Sequence, residues 1–247
     1  PEFDQEFEMR NWALKLADLI ADAFPRYFKN EKETEEQLFS WAGNTKLPHW
    51  GSLVCQALAE ASKIQPKEQY RTVIDSYHRF LLEKQDTFTT SEFGYALLGA
   101  SASYVVFNDD LSRKTAQVFA DKIVASMDPE TGNMPSQHYE APSGASLADT
   151  IYTLNWAVLA LQNMARIDSK YIDPYEKIMN LLLKIQDTTR EKYLFGCWRG
   201  MFDLENGQWG GGDRFEGGAN SIYSGWTNAP IPWAVAFAVR NTSLANS

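Results

Sequence analysis

The chain has 247 residues, 44% of them hydrophobic, and carries 32 acidic against 23 basic side chains for a formal charge of −9. That length supports one large core, and no linker-like shift in composition divides it, so a single domain over 1–247 is expected. The acidic balance, with a pI near 4.9, argues against nucleic acid or an anionic membrane as the main partner, and no apolar run reaches the roughly 18 residues of a membrane-spanning helix.

The opening Pro1-Glu2-Phe3 lacks Met and reads as a cloning scar. The chain is therefore expected to be a piece of something longer. The segment that follows, 5–29, repeats apolar residues at three and four (Leu16, Leu19, Ile20, Ala23 and Phe24) and predicts a helix. Further helices are predicted near 34–42, 50–63, 67–85, 91–106, 110–127, 146–166, 171–187 and 229–240. Those near 67–85, 110–127 and 171–187 carry Lys, Glu and Arg on one face, as an outer layer does. His78 falls mid-helix on what reads as a charged face and is read as a structural residue. The segments near 50–63, 91–106, 146–166 and 229–240 are rich in Ala, Leu, Gly, Ser and Trp with few charges, as expected of helices packed on several sides. Alternation of polar outer and apolar inner helices describes α-hairpins set in a ring or arc.

Two stretches interrupt the helical pattern. Residues 198–209 suit a short β-hairpin turning at Asn206-Gly207, a pair that tolerates φ > 0 at both central positions. Residues 210–228 hold Gly210, Gly211, Gly212, Gly217, Gly218 and Gly225 among polar and aromatic side chains, the composition of an ordered functional loop.

The chain also repeats itself. Asp128-Pro-Glu130-Thr-Gly132-Asn-Met134 and Asp203-Leu-Glu205-Asn-Gly207-Gln-Trp209 share the pattern Asp-x-Glu-(Thr/Asn)-Gly-amide-apolar, 75 residues apart. Each copy leads through a polar stretch to an Ile-Tyr pair (Ile151-Tyr152 and Ile222-Tyr223) and then to Trp-Ala-Val at Trp156 and Trp233. Repeats among helices imply stacked units with their long loops on one side, where binding or chemistry gathers.

The outer and inner alternation, the Asp-x-Glu-x-Gly turns before inner helices and the aromatic, acidic loop Trp209–Trp226 resemble the α/α-toroid superfamily of carbohydrate-active enzymes, the glycoside hydrolases and polysaccharide lyases built on rings of helical hairpins. The resemblance covers most of the chain. It implies an all-α toroid or open arc, with a cleft formed by the loops that enter the inner helices and an oligo- or polysaccharide as partner. A periplasmic or secreted location follows if that reading holds. Four or five hairpins are visible where the common ring has six. Terpene cyclases and prenyltransferases share such rings, but Asp109-Asp110 has no acidic partner at the DDxxD offset, and Cys55 and Cys197 form no zinc set or CxxC.

Glycosidic hydrolysis takes two carboxyl groups, one to protonate the leaving oxygen and one to activate water or attack the anomeric carbon. Acidic residues in or beside the repeat loops are Glu140, Asp149, Asp203, Glu205, Asp213 and Glu216. Asp149 is read as the start of an apolar helix, where it either stabilises that N-terminus or serves catalysis. Asp128, Glu130, Asp203 and Glu205 read as turn formers. Asp213 and Glu216, flanked by glycines, are the preferred pair for Asp149, with stacking by Trp209, Tyr223 and Trp226 and further contacts from Arg214, Asn220, Tyr152, His49 and Trp50. A lyase would instead need a Tyr or His base and a group that neutralises a uronic acid. His138, His49, Tyr223, Arg199 and Arg214 offer such a set. The third class is a non-catalytic helical module that binds carbohydrate or protein through the same cleft. No cofactor is expected, although Asp203, Glu205 and Asp213 together are oxygen ligands of the kind calcium takes. The sequence holds neither a P-loop nor a G-x-S-x-G elbow.

Overall fold

The computed structural model describes residues 5–29, 48–135, 147–189, 195–209 and 229–246. Eight α-helices are found among them: α1 (Gln5–Lys29), α2 (Pro48–Ile64), α3 (Glu68–Lys84), α4 (Thr90–Phe107), α5 (Asp110–Ser126), α6 (Leu154–Ile167), α7 (Ile172–Lys184) and α8 (Pro230–Val239). The helix expected at 34–42 lies outside the described residues.

The odd-numbered helices are the outer layer and the even-numbered ones the inner. Along the inner layer α2 packs on α4, α4 on α6 and α6 on α8, while α1 packs on α3 and α3 on α5 outside them. Among the described residues the result is a row of three closely packed pairs, α2 with α3, α4 with α5 and α6 with α7, flanked by α1 and α8. α4 is the clearest inner helix, with an unbroken buried run from Phe93 to Ser103. Small residues let its neighbours approach: a Cβ on Gly99 would lie 2.3 Å from the carbonyl oxygen of Ser52 in α2, and one on Gly94 would lie 2.9 Å from the backbone nitrogen of Ala157 in α6. Ser101 Oγ accepts from Asn163 Nδ2 at 3.0 Å further along, so α4 and α6 run parallel.

Local chemistry sets the ends of these helices. Thr89 and Glu92 form a capping box at the start of α4, with Thr89 N donating to Glu92 Oε2 at 2.7 Å. Asn108, at φ 49°, ends that helix in the left-handed conformation, and Asp109 then caps α5 by accepting from Ser112 N at 2.9 Å. The Asp109-Asp110 pair is thus spent on a cap and on the ion pair of Asp110 with Arg113. A final 3₁₀ turn, Leu244–Asn246, ties the C-terminal ends of the inner layer together: Lys63 Nζ donates to Ala245 O at 2.8 Å, and Ala245 N donates to Asn163 Oδ1 at 3.1 Å.

Four expectations need correction. The helix placed at 146–166 begins only at Leu154, because Leu147–Asp149 form a strand, β1, and 150–153 a turn. In α1 the core face is Ala17, Ala21 and Phe24, whereas Leu16 and Leu19 are more than half exposed. His78 is fully buried between α3 and α5, its Nδ1 3.4 Å from Ser112 Oγ. The hairpin near 198–209 exists as β2 (Met201–Asp203) and β3 (Gln208–Trp209), but of its turn residues only Gly207 has positive φ, since the carboxylate of Asp203 folds a four-residue loop in place of a two-residue one.

Candidate functional site

The two repeat loops meet in a three-stranded antiparallel sheet ordered β1-β2-β3, with Asp149 opposite Met201 and Phe202 opposite both Ala148 and Trp209. One strand comes from the first repeat and two from the second. Thr150 locks this junction by donating its N–H to Gly200 O at 3.0 Å and its hydroxyl to the same oxygen at 2.9 Å. Asn133 Nδ2 holds β1 from the other side through Leu147 O at 3.0 Å. Thr90, the first residue of α4, donates its hydroxyl to Pro135 O at 2.8 Å, so the first loop is pinned to the N-terminal rim of the inner layer.

Asp149 ends β1 at that rim and is fully buried. Its Oδ1 accepts from Ile151 N at 2.8 Å and Tyr152 N at 3.1 Å, and its Oδ2 accepts from Thr153 Oγ1 at 2.8 Å. It therefore shapes the turn that leads into α6 and does not sit at the helix start itself. Tyr95 lies on the second turn of α4, where burial raises its phenol far above the ordinary range and the charges of Asp149 and Tyr152 add to the effect. The Tyr95 ring lies 4.8 Å from that of Trp156, tilted by 33°. Trp156 is half-buried and its Nε1 is buried without an acceptor among the described residues, an arrangement that native structures keep rare. The rim thus gathers a carboxylate, two aromatic rings in tilted contact and an N–H donor with no acceptor among the described residues.

Asp149 and Tyr152, both picked out in the sequence, are brought together here. Trp209 stands two strands away on β3, its ring 5.2 Å from Phe202 in an edge-on contact. Trp50 lies in the first turn of α2 and is partly exposed. His49 belongs to the same turn, but its side chain is outside what is described. Asp213, Arg214, Glu216, Asn220, Tyr223, Trp226, His138 and Glu140 also lie outside the described residues. Tyr95, Trp156 and the rim carboxylate Glu92 are the residues that sequence reasoning passed over. Trp156 was visible as part of the repeated Trp-Ala-Val, but as a mark of the helix and not of the rim.

Arg199 is held by Asp187, with Nε 2.6 Å and a terminal guanidinium nitrogen 2.5 Å from Asp187 Oδ2, and it braces the loop before β2. Both turn aspartates are likewise occupied. Asp128 Oδ1 accepts from Glu130 N, Thr131 N and Thr131 Oγ1, and Asp203 accepts from Glu205 N, Asn206 N and Asn206 Nδ2.

No protein-family model matches this chain, and no curated protein does. Among solved structures, an unsaturated glucuronyl hydrolase, as an aspartate-to-asparagine variant with dGlcA-Glc-Rha-Glc, is similar to it with a TM-score of 0.64. The likeness covers 97% of this chain and 71% of that one at 13% sequence identity. At that identity what is shared is the fold, an α/α toroid.

Proposed function

We propose that this chain is a carbohydrate-active enzyme of the glycoside hydrolase type, working on an oligo- or polysaccharide at the rim where the two repeat loops meet. The observation that carries the proposal is that the turn held by Asp149 opens α6, whose Trp156 packs its ring on Tyr95 of α4. Sugar recognition calls for aromatic faces beside a fixed carboxylate, and the fold is the one seen in the hydrolase that was solved with an oligosaccharide.

In this reading Asp149 is one of the two carboxyl groups that hydrolysis needs, and Asp213 or Glu216 supplies the other from the glycine-rich loop. Half-buried Trp156, backed by the buried Tyr95 ring, joins Trp209, Tyr223 and Trp226 as a stacking surface. Tyr152, Arg214, Asn220, His49 and Trp50 serve as further contacts, with His138 as a proton carrier in the first loop. Hydrolysis is favoured over elimination because Arg199, a candidate to neutralise a uronic acid, is engaged by Asp187.

The test is a titration of intrinsic Trp fluorescence with neutral and uronic oligosaccharides, with products followed by mass spectrometry. Saturable quenching that Trp156→Phe weakens, together with products heavier by one water, is the expected result. Unsaturated products would replace hydrolysis by elimination. Quenching without cleavage would leave a binding module, and no response across the panel would end the carbohydrate reading.

A further inference from the structure

The turn between β2 and β3 carries a reactive pair that sugar chemistry does not use. Asn206 is followed by Gly207, and it alone among the asparagines of this chain precedes a glycine. Asparagine is a thermolabile residue. Its loss begins when the backbone nitrogen of the next residue attacks the side-chain Cγ, which glycine permits best because it has no Cβ to shield that nitrogen. Both residues are exposed, and a Cβ on Gly207 would meet nothing within 4 Å, so neither burial nor packing closes this turn to water. The matching turn of the first repeat cannot react in this way. There Thr131 precedes Gly132 and has no amide, and the asparagine that follows, Asn133, is buried with its Nδ2 on Leu147 O at 3.0 Å.

One residue holds both reacting groups of the second turn. The backbone carbonyl of Asp203 accepts from Gly207 N at 2.8 Å, and its Oδ2 accepts from Asn206 Nδ2 at 2.6 Å. The first contact occupies the attacking nitrogen, and the second fixes the amide that has to leave. The second is the stronger kind of hydrogen bond because its acceptor is ionised. It is also the largest of the influences that hold the Asp203 carboxyl below its ordinary range.

We infer that Asn206 is the site at which this chain modifies itself, by loss of ammonia, with Asp203 as the restraint on the rate. Gly207 N attacks Asn206 Cγ and gives up its proton, the Cγ–Nδ2 bond breaks, and the side-chain nitrogen leaves with that proton as ammonia. Water then opens the resulting cyclic imide at either carbonyl, to aspartate by one route and to isoaspartate by the other. Either product removes the Nδ2 donor and sets a second carboxylate against that of Asp203. Isoaspartate also adds a carbon to the main chain between Asp203 and Gln208, whose pairing joins β2 to β3. The change therefore falls on the hairpin that carries Trp209.

Incubation of the folded chain at mildly alkaline pH, followed by tryptic mapping, tests this. The peptide Gly200–Arg214 is read for the mass gain of an amide-to-acid change and for isoaspartate, and the same peptide made synthetically gives the unrestrained rate. The wild type is expected to convert at Asn206 ahead of every other asparagine and more slowly than the free peptide, and Gly207→Ala to lose the product over the same interval. Asp203→Asn, checked for unchanged Tm, keeps an oxygen for the two backbone N–H groups but cannot accept from Asn206 Nδ2. It is expected to convert about tenfold faster than the wild type, the worth of one charge-assisted hydrogen bond. Conversion that begins at another asparagine overturns the proposal. So does a wild type that converts as fast as the free peptide, or no faster a rate in Asp203→Asn than in the wild type.

Discussion

Asp128 and Asp203 hold their turns in the same way. Each carboxylate accepts from the backbone N–H groups two and three residues on, and each backbone carbonyl accepts from the glycine four residues on, Gly132 N at 2.9 Å and Gly207 N at 2.8 Å. Both glycines are left-handed, at φ 77° and 67°. Their surroundings differ, however. A Cβ on Gly132 would lie 2.8 Å from the backbone carbon of Lys177 in α7, whereas one on Gly207 would meet nothing within 4 Å. Gly207→Ala should therefore cost only the backbone term, about 1 kcal/mol, and Gly132→Ala about 3 kcal/mol once overpacking is added. Urea denaturation of the two variants checks this, and equal losses would count against the close approach of the first turn to α7.

How legible this molecule was follows from the same turns. The hairpin alternation and the two Asp-x-Glu-x-Gly turns could be read because they rest on local chemistry: apolar periodicity, an aspartate accepting from its own turn, and a glycine where φ is positive. The error at 146–166 arose because Leu147-Ala148-Asp149 is apolar enough to extend a helix, yet it pairs with Phe202 and its neighbours some fifty residues away. Long-range pairing leaves no local mark. Tyr95 was hidden for the same reason, since it joins Asp149 and Trp156 only through the packing of α4 on α6. The buried state of His78 was missed because its charged sequence neighbours concealed the face that α5 covers.

His78 makes the acid response of this fold predictable. Burial, the largest influence, pushes its imidazolium down to about 4 from 6.5; Asp109 opposes that and Arg71 assists it. Its folded pKa is thus depressed, so the unfolded chain binds more protons between pH 6.5 and 4. Stability is full above that window and falls as pH drops through it, by about 3 kcal/mol at most for this one group. The buried or pair-forming carboxylates Asp18, Asp109 and Asp187, also depressed, lose their contributions lower still, below their ordinary value of 3.8. Urea midpoints compared between pH 7 and pH 4.5 should fall for the wild type and much less for His78→Gln. An equal fall in both proteins would mean that another group carries the dependence.

Asp187 and Arg199 supply a second stability prediction. Burial alone would raise the Asp187 carboxyl, but the Thr189 amide at 2.9 Å and the Arg199 guanidinium outweigh it and the carboxyl is held low. Its side chain is 1% exposed and that of Arg199 15%. Removing one member of so sheltered a pair leaves the other charge uncompensated, at a cost of about 3 kcal/mol. Asp187→Ala should lower the denaturation midpoint accordingly, and Arg199→Ala in that background should cost little more. Additive losses from the two substitutions would show that the pair does not act as a unit.

Asp149 has a structural task and a proposed chemical one, and two substitutions separate them. Its carboxylate accepts from Ile151 N, Tyr152 N and Thr153 Oγ1, and asparagine can keep the two backbone contacts through its own oxygen. Asp149→Asn should therefore retain the fold within about 1 kcal/mol, while Asp149→Ala leaves those donors buried without an acceptor and should cost about 2–3 kcal/mol. Acid or base work does not survive the amide, because it neither gives nor takes a proton near neutral pH. If Asp149 is one of the two hydrolytic carboxyl groups, Asp149→Asn should lower kcat by about 10²–10⁴ with oligosaccharide binding by Trp fluorescence preserved. An Asp149→Asn variant that is stable and cleaves at the wild-type rate would confine Asp149 to its turn, and the proposed chemistry would pass to Asp213 and Glu216.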